Sequence, residues 1–201
     1  MKTRWFVLFL IAGCAHGQLP PGLYAIFNTS MGNITAKLYE KDTPISVETF
    51  VALAQGTKAT RSPKTGAMVK RPLYDNITFH RVVPDEMIQA GDPTGTGSHD
   101  CGVKIPDEFL PGLRFDRAGK LAMANTGGPD TGGCQFFITE GPMTQWNGKY
   151  AIFGIVVEGQ DVVSKINHAP VRGDKPVNPA KLFSVTIERV GPEPVVKKKR
   201  K

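Results

Sequence analysis

The chain has 201 residues, and 25 Lys and Arg stand against 18 Asp and Glu, for a formal net charge of +7 and a pI of about 9.4. Seven of those cations sit at the ends: Lys2, Arg4, Lys197, Lys198, Lys199, Arg200 and Lys201. Segments 1–17 and 197–201 hold no acid, so the body between them balances 18 positive against 18 negative charges, which excludes nucleic-acid binding by overall surface charge. The roughly 180 residues of the body suit one domain with a sizeable core.

Lys2 and Arg4 precede the apolar run Trp5–Ala12. The run is shorter than the roughly 20 residues of a bilayer span, so residues 1–17 read as a secretory signal ending at Ala15-His16-Gly17. Ile11-Ala12-Gly13-Cys14 offers an alternative, a lipobox in which Cys14 carries lipid.

Strands are predicted at Leu23–Phe27 and Ile34–Tyr39, joined by a hairpin through Asn28–Gly32. A helix follows over Pro44–Gln55. Thr43 fits its N-cap, Pro44 its first position and Gly56 its stop, and Val47, Phe50, Val51 and Ala54 form an apolar stripe. Residues 57–72 carry five cations and no acid and read as a solvated basic insertion. Further strands are predicted at Ile77–Val83, Met87–Ala90, Leu121–Ala124, Gln135–Thr139, Ile152–Val157 and Leu182–Val190, with a second helix at Gln160–His168. Residues 191–201 read as a flexible basic tail. Many antiparallel strands with long glycine-rich connections predict a closed barrel, because closure removes exposed strand edges. Cys101 and Cys134 either pair in an oxidising compartment or remain thiols.

The chemistry narrows by elimination. His16, His80, His99 and His168 are dispersed, and neither His-x-x-x-His nor Cys-x-x-Cys occurs, which argues against zinc. Gly127–Gly133 lacks the Lys-Ser/Thr of a phosphate loop, and no Gly-x-Ser-x-Gly elbow exists. The segment Phe79–Asp92 stands out. In strand alternation Phe79, Arg81 and Val83 share one face, while His80 turns away as a packed, hydrogen-bonded histidine. An arginine among apolar neighbours is costly unless its charge is partnered, so by itself Arg81 reads as half of an ion pair.

Three further segments change that reading. They are Leu121-Ala-Met-Ala-Asn125, Gln135-Phe-Phe-Ile-Thr139 and Trp146-Asn-Gly-Lys-Tyr-Ala-Ile-Phe-Gly154. Together with Phe79–Asp92, and in this order, they resemble the cyclophilin family of peptidyl-prolyl cis-trans isomerases over about residues 23–190. The resemblance implies a mainly β fold, a closed eight-stranded antiparallel barrel capped by two helices, with the site in an outer groove. It implies that Arg81, Gln89 and Asn125 are catalytic. Arg81 would act as donor to the prolyl nitrogen, Gln89 would orient it, and Asn125 would bind substrate backbone. Met87, Thr96, Ala124, Gln135, Phe137, Trp146 and Tyr150 would bind substrate, with Thr96 in the glycine-rich loop Gly95–Gly97. Phe136 reads as packing. No metal or cofactor is implied.

The chain departs from the family pattern at three places. Glu86 stands where Phe usually walls the proline slot, after Asp85 in place of a common Gly, and is left outside the expected site. Trp146 replaces a usual Leu, with Gln145 where many members carry the Trp that binds cyclosporin. Tyr150 replaces a usual His. Taken with the secretory signal read at residues 1–17, the resemblance implies a bacterial, exported isomerase of X–Pro bonds that assists the folding of exported proteins in the periplasm or beyond. Its partners are proline-containing peptides and unfolded chains, with cyclosporin undecided between the Gln145 and Trp146 registers. A monomer is expected, without nucleic acid, and with membrane attachment only if Cys14 is lipidated.

Overall fold

The computed structural model describes residues 19–192, so the expected signal 1–17, with Cys14, and the cationic run Lys197–Lys201 lie outside the described residues. In chain order the strands are β1 (Gly22–Thr29), β2 (Gly32–Leu38), β3 (Ala59–Arg61), β4 (Met68–Lys70), β5 (Ile77–Thr78), β6 (Arg81–Val83), β7 (Met87–Ala90), β8 (Lys120–Met123), β9 (Phe136–Thr139), β10 (Ile152–Glu158), β11 (Val171–Arg172), β12 (Lys175–Pro176) and β13 (Lys181–Val190). Helix α1 (Pro44–Ala54) follows β2, α2 (Gln160–Asn167) follows β10, and a 3-10 turn covers Thr144–Trp146. The basic insertion forms the small hairpin β3–β4.

Nine strands make one antiparallel sheet in the order β5-β13-β1-β2-β10-β8-β9-β7-β6. It curls into a half-barrel, which corrects the expected closed eight-stranded barrel. The predicted strand Ile77–Val83 breaks at Phe79-His80 into β5 and β6. These are the two edge strands of the sheet, and they succeed one another along the chain without pairing. The break also undoes the predicted shared face. Phe79 is fully buried in the main core, whereas Arg81 is exposed and Val83 half-buried.

Period-two alternation then fills the interior. Val82, Ile88, Ile138 and Leu121 are register partners across β6, β7, β9 and β8, and all four are fully buried. Phe27, Phe50, Tyr74, Phe136 and Phe153 pack as one aromatic group, with centroids 5.0–5.9 Å apart.

Pro44 opens α1 as predicted, but Thr43 makes no side-chain cap. The Glu108 carboxylate instead accepts the backbone N–H groups of Ile45 (3.1 Å) and Ser46 (2.7 Å), and its negative charge suits a helix N-terminus. Cys101 and Cys134 are joined as a disulfide, with Cα atoms 6.5 Å apart.

Candidate active site

The outward positions of the same strands build a groove. Arg81 on β6 pairs with Gln89 on β7, Gln89 with Phe137 on β9, and Phe137 with Ala122 on β8, so one rung carries an arginine, an amide and an aromatic floor side by side. Val83, Met87 and Thr139 form the next outward rung. The groove encloses about 300 Å³ and is lined by Arg81, Met87, Gln89, Ala124, Asn125, Phe137, Trp146 and Tyr150, together with Val83 and Glu86. Eight of the ten residues assigned to the site from sequence thus share one cavity.

Its floor is a second apolar cluster, separate from the main core, with Met87, Phe115, Ala122, Phe137, Met143 and Ile152 buried at its centre. Phe137 meets Trp146 and Tyr150 edge-on, with centroids 5.4 and 5.1 Å away, and stacks on Phe115 at 6.0 Å. These contacts hold a flat apolar wall without collapse. Trp146 therefore faces the groove wall, while the Gln145 amide is 3.4 Å from the Met143 sulfur.

The polar side is a directed chain. Arg81 Nη1 donates to Gln89 Oε1 (3.3 Å), Gln89 Nε2 donates to Gln135 Oε1 (2.8 Å), and Gln135 Nε2 donates to the Gly97 carbonyl (2.9 Å). Gln135 lines a neighbouring pocket of about 360 Å³ that shares Gln89, Ala124 and Asn125 with the groove and includes the Cys101–Cys134 disulfide in its wall. The Asn125 side chain is engaged within the protein. Its Nδ2 donates to the Lys149 carbonyl (2.8 Å) and its Oδ1 accepts from Gly127 N–H (3.1 Å).

Thr96 stands apart from the groove wall. Its hydroxyl donates to Asp92 Oδ2 (3.2 Å) and shares a hydrogen bond with Thr94. Asp92 is buried and also accepts from the backbone of Thr94, Gly97 and His99. Burial acts to raise its carboxyl, but these hydrogen bonds outweigh it and leave the pKa below the ordinary Asp value. His80 is buried beneath this loop, and a side chain at Gly97 would come within 3.3 Å of its Nε2. The expected hydrogen-bonded histidine is corrected: among the described residues neither ring nitrogen has a well-formed hydrogen-bond partner. Burial lowers its pKa, against smaller raising effects from Asp92, Gln135 and Thr78.

Sequence reasoning left out Glu86, Asn167 and Asp174. Asp85 adopts φ +64, a left-handed conformation that explains why glycine would suit the position, and the turn carries Glu86 onto the groove wall. Fully buried Asn167 of α2 secures that turn by accepting Asp85 N–H (2.8 Å) and donating to the carbonyls of Val83 and Met87 (2.9 and 3.1 Å). Asp174 binds Arg81 Nε at 2.8 Å. Glu86 stands out in the sequence only as a departure at a wall position, whereas Asn167 and Asp174 have no local signal, because their side-chain contacts join segments 80 or more residues apart.

A family model described as cyclophilin type peptidyl-prolyl cis-trans isomerase/CLD matches residues 24–187. Peptidyl-prolyl cis-trans isomerase A of Mycobacterium tuberculosis (strain ATCC 25618 / H37Rv) is 44% identical over 166 residues, covering 81% of this chain and 91% of the relative. Peptidyl-prolyl cis-trans isomerase B of Streptomyces anulatus is 42% identical over 170 residues, covering 83% and 97%. A crystal structure of a cyclophilin type peptidyl-prolyl cis-trans isomerase from Cryptosporidium parvum, determined in the presence of the dipeptide Ala-Pro, superposes with a TM-score of 0.71 at 30% identity, covering 83% of this chain and 99% of that one. A groove floored by Phe137 and edged by Arg81 and Gln89 thus lies on a fold that superposes on the Cryptosporidium parvum structure, and the chain belongs to the cyclophilin-type peptidyl-prolyl cis-trans isomerase family.

Proposed function

We propose that this groove rotates X–Pro bonds in exported protein chains, with Arg81 as the donor that favours the twisted amide. The observation that carries the reading is the rung Arg81–Gln89–Phe137, which sets a guanidinium beside an aromatic floor in one groove. Rotation about an X–Pro bond must break amide resonance, at a cost of about 18–20 kcal/mol. As the bond twists, the nitrogen lone pair localises and becomes a hydrogen-bond acceptor. A donor aimed at that nitrogen stabilises the twisted state more than the planar one, which lowers the barrier without a nucleophile or metal.

The residue roles follow from position. Met87, Phe137, Trp146 and Tyr150 take the proline ring. Gln89 fixes the guanidinium through its Oε1 and is itself fixed by Gln135. Asn125, whose side chain is tied to the Lys149 carbonyl, offers its main chain to the peptide backbone, with Ala124 beside it. Thr96 acts at one remove, through the Asp92 loop whose Gly97 carbonyl anchors Gln135. The Ala-Pro dipeptide present with the Cryptosporidium parvum structure supports a proline-containing ligand.

The Cys101–Cys134 disulfide supports the exported reading, because structural disulfides persist in oxidising compartments. There, uncatalysed isomerisation taking about 10–100 s limits folding, and an isomerase relieves it. We further propose a monomer and cyclosporin as a competing occupant of the Trp146–Tyr150 wall. Sedimentation and inhibitor titration check these two points.

The decisive experiment is isomerisation of a proline-containing peptide by the parent and by Arg81→Ala. Arg81 is on an edge strand with its side chain 47% exposed, so the variant keeps its circular dichroism spectrum. Its kcat/KM falls by about 100-fold, as when one charge-stabilising donor is removed. A parental rate in Arg81→Ala would overturn the mechanism.

A further inference from the structure

Arg81 has a second partner that reaches it from a distant part of the chain. Its Nε donates to Asp174 Oδ2 at 2.8 Å, while its Nη1 donates to Gln89 at 3.3 Å. Both charged side chains are about half exposed, at 47% and 50%. An exposed pair contributes little to stability, because water competes for both charges. What the contact supplies is direction. A charge-assisted hydrogen bond at Nε fixes the plane of the guanidinium and leaves the Nη groups for other acceptors.

The local fold delivers Asp174 to this point. Strands β11 and β12 pair Val171 with Pro176 and Arg172 with Lys175, leaving Gly173 and Asp174 as the two turn residues. Gly173 has φ +65 at the first turn position, where the twist of a two-residue hairpin calls for a positive φ. The Asp174 carbonyl also accepts Val82 N–H at 2.8 Å. One residue thus holds both the Arg81 side chain and the backbone of the next residue on β6, and the hairpin tip cannot drift from the strand it serves.

We propose that Asp174 is a positioning residue for the isomerisation, holding the Arg81 guanidinium by its Nε–H so that the Nη groups are presented to the groove. The proposal rests on Arg81 being the donor assigned above. Gln89 alone holds Arg81, whose side chain is half exposed on the edge strand β6, by a single contact at 3.3 Å. With Asp174 added, the guanidinium is held at two points of its plane. The Asp174 carboxyl is kept below the ordinary Asp range, chiefly by its hydrogen bond from Arg81, so it is ionised throughout neutral pH.

The test combines peptide kinetics with the Arg81 Nε–H signal in a 1H–15N spectrum. Asp174→Ala lowers kcat/KM by about five- to tenfold, mainly through kcat, because a loosely held donor is misplaced in the transition state. The Nε–H signal moves and exchanges faster with water. Asp174→Glu recovers part of the rate. In an Arg81→Ala background the Asp174→Ala change has no further effect on rate. Asp174→Asn keeps size and loses charge, and it carries the test if Asp174→Ala fails to fold, with a smaller loss in the same direction. The inference is overturned by a parental kcat/KM and an unmoved Nε–H signal in Asp174→Ala. It is also overturned by an equal loss with and without Arg81. A parental rate in Arg81→Ala with Asp174 intact would instead refute the donor assignment, and the Nε–H signal would still decide whether Asp174 holds Arg81.

Discussion

Gln89 donates its side-chain N–H to Gln135 Oε1 at 2.8 Å, and this contact decides which end of the Gln89 amide faces Arg81. With Nε2 committed to Gln135, Oε1 is left to accept from the guanidinium. Replacing Gln135 by Leu removes the acceptor and frees the Gln89 amide to flip, presenting N–H groups to a cation. The kcat/KM of Gln135→Leu should fall about three- to tenfold, and Gln135→Glu, which keeps an acceptor, should lose less. Equal rates for Gln135→Leu and the parent in the peptide assay would show that the orientation is set elsewhere.

Glu86 puts a carboxylate on the groove wall beside Met87. A proline ring seated in the groove would take water from this half-buried carboxylate at a cost, and the carboxylate adds a negative charge to a groove that Arg81 also lines. Glu86→Phe should be at least as active as the parent on a neutral peptide. The same change should erase any preference for Lys over Glu next to the X–Pro bond. A clear loss of rate on the neutral peptide would show that the carboxylate contributes to turnover.

His80 predicts a pH effect on stability. Its pKa in the folded protein is lowered, mainly by burial, so below about pH 6.5 the unfolded chain binds a proton that the folded chain resists. Stability therefore falls as pH drops below about 6.5 and is regained as pH rises through that value. The Tm difference between pH 7.5 and 5.5 should shrink in His80→Gln. An unchanged difference would place the acid sensitivity on other groups.

The disulfide closes a loop across a sequence separation of 33. Loop-closure entropy assigns such a cross-link about 4 kcal/mol. Urea unfolding of the protein with and without reductant, with Cys134→Ser as control, should show a lower midpoint on reduction. Coincident curves would mean that the reduced chain gains compensating freedom in the folded state.

Much of this was readable from the residues, and the misses share a cause. The helix at Pro44 was legible because its start and its apolar stripe are local. Its true cap, Glu108, was not, because it lies 62 residues from Ser46. The groove residues of β7 and β9 followed from ordered motifs and period-two alternation. The break at Phe79-His80 did not, because an unbroken run of strand-forming residues hides a change of face. Strands β11 and β12 are two residues each, too short for any periodic signal, and so Asp174 escaped notice. Arg81 does have an acid partner in Asp174, but not because apolar neighbours demand one, since its side chain is 47% exposed and the expected shared face with Phe79 is absent.

The pairing of β1 with β13 has a bearing on assembly. Gly22 lies opposite Val190, and the ladder continues to Thr29 opposite Leu182. During synthesis, β1 can join β2 at once, but its other edge stays open until almost the whole domain has been made. The nascent half-barrel therefore carries a bare seam through most of translation. A circular permutant that joins the two ends and opens the chain within the β3–β4 hairpin would make that seam a local contact and should fold faster.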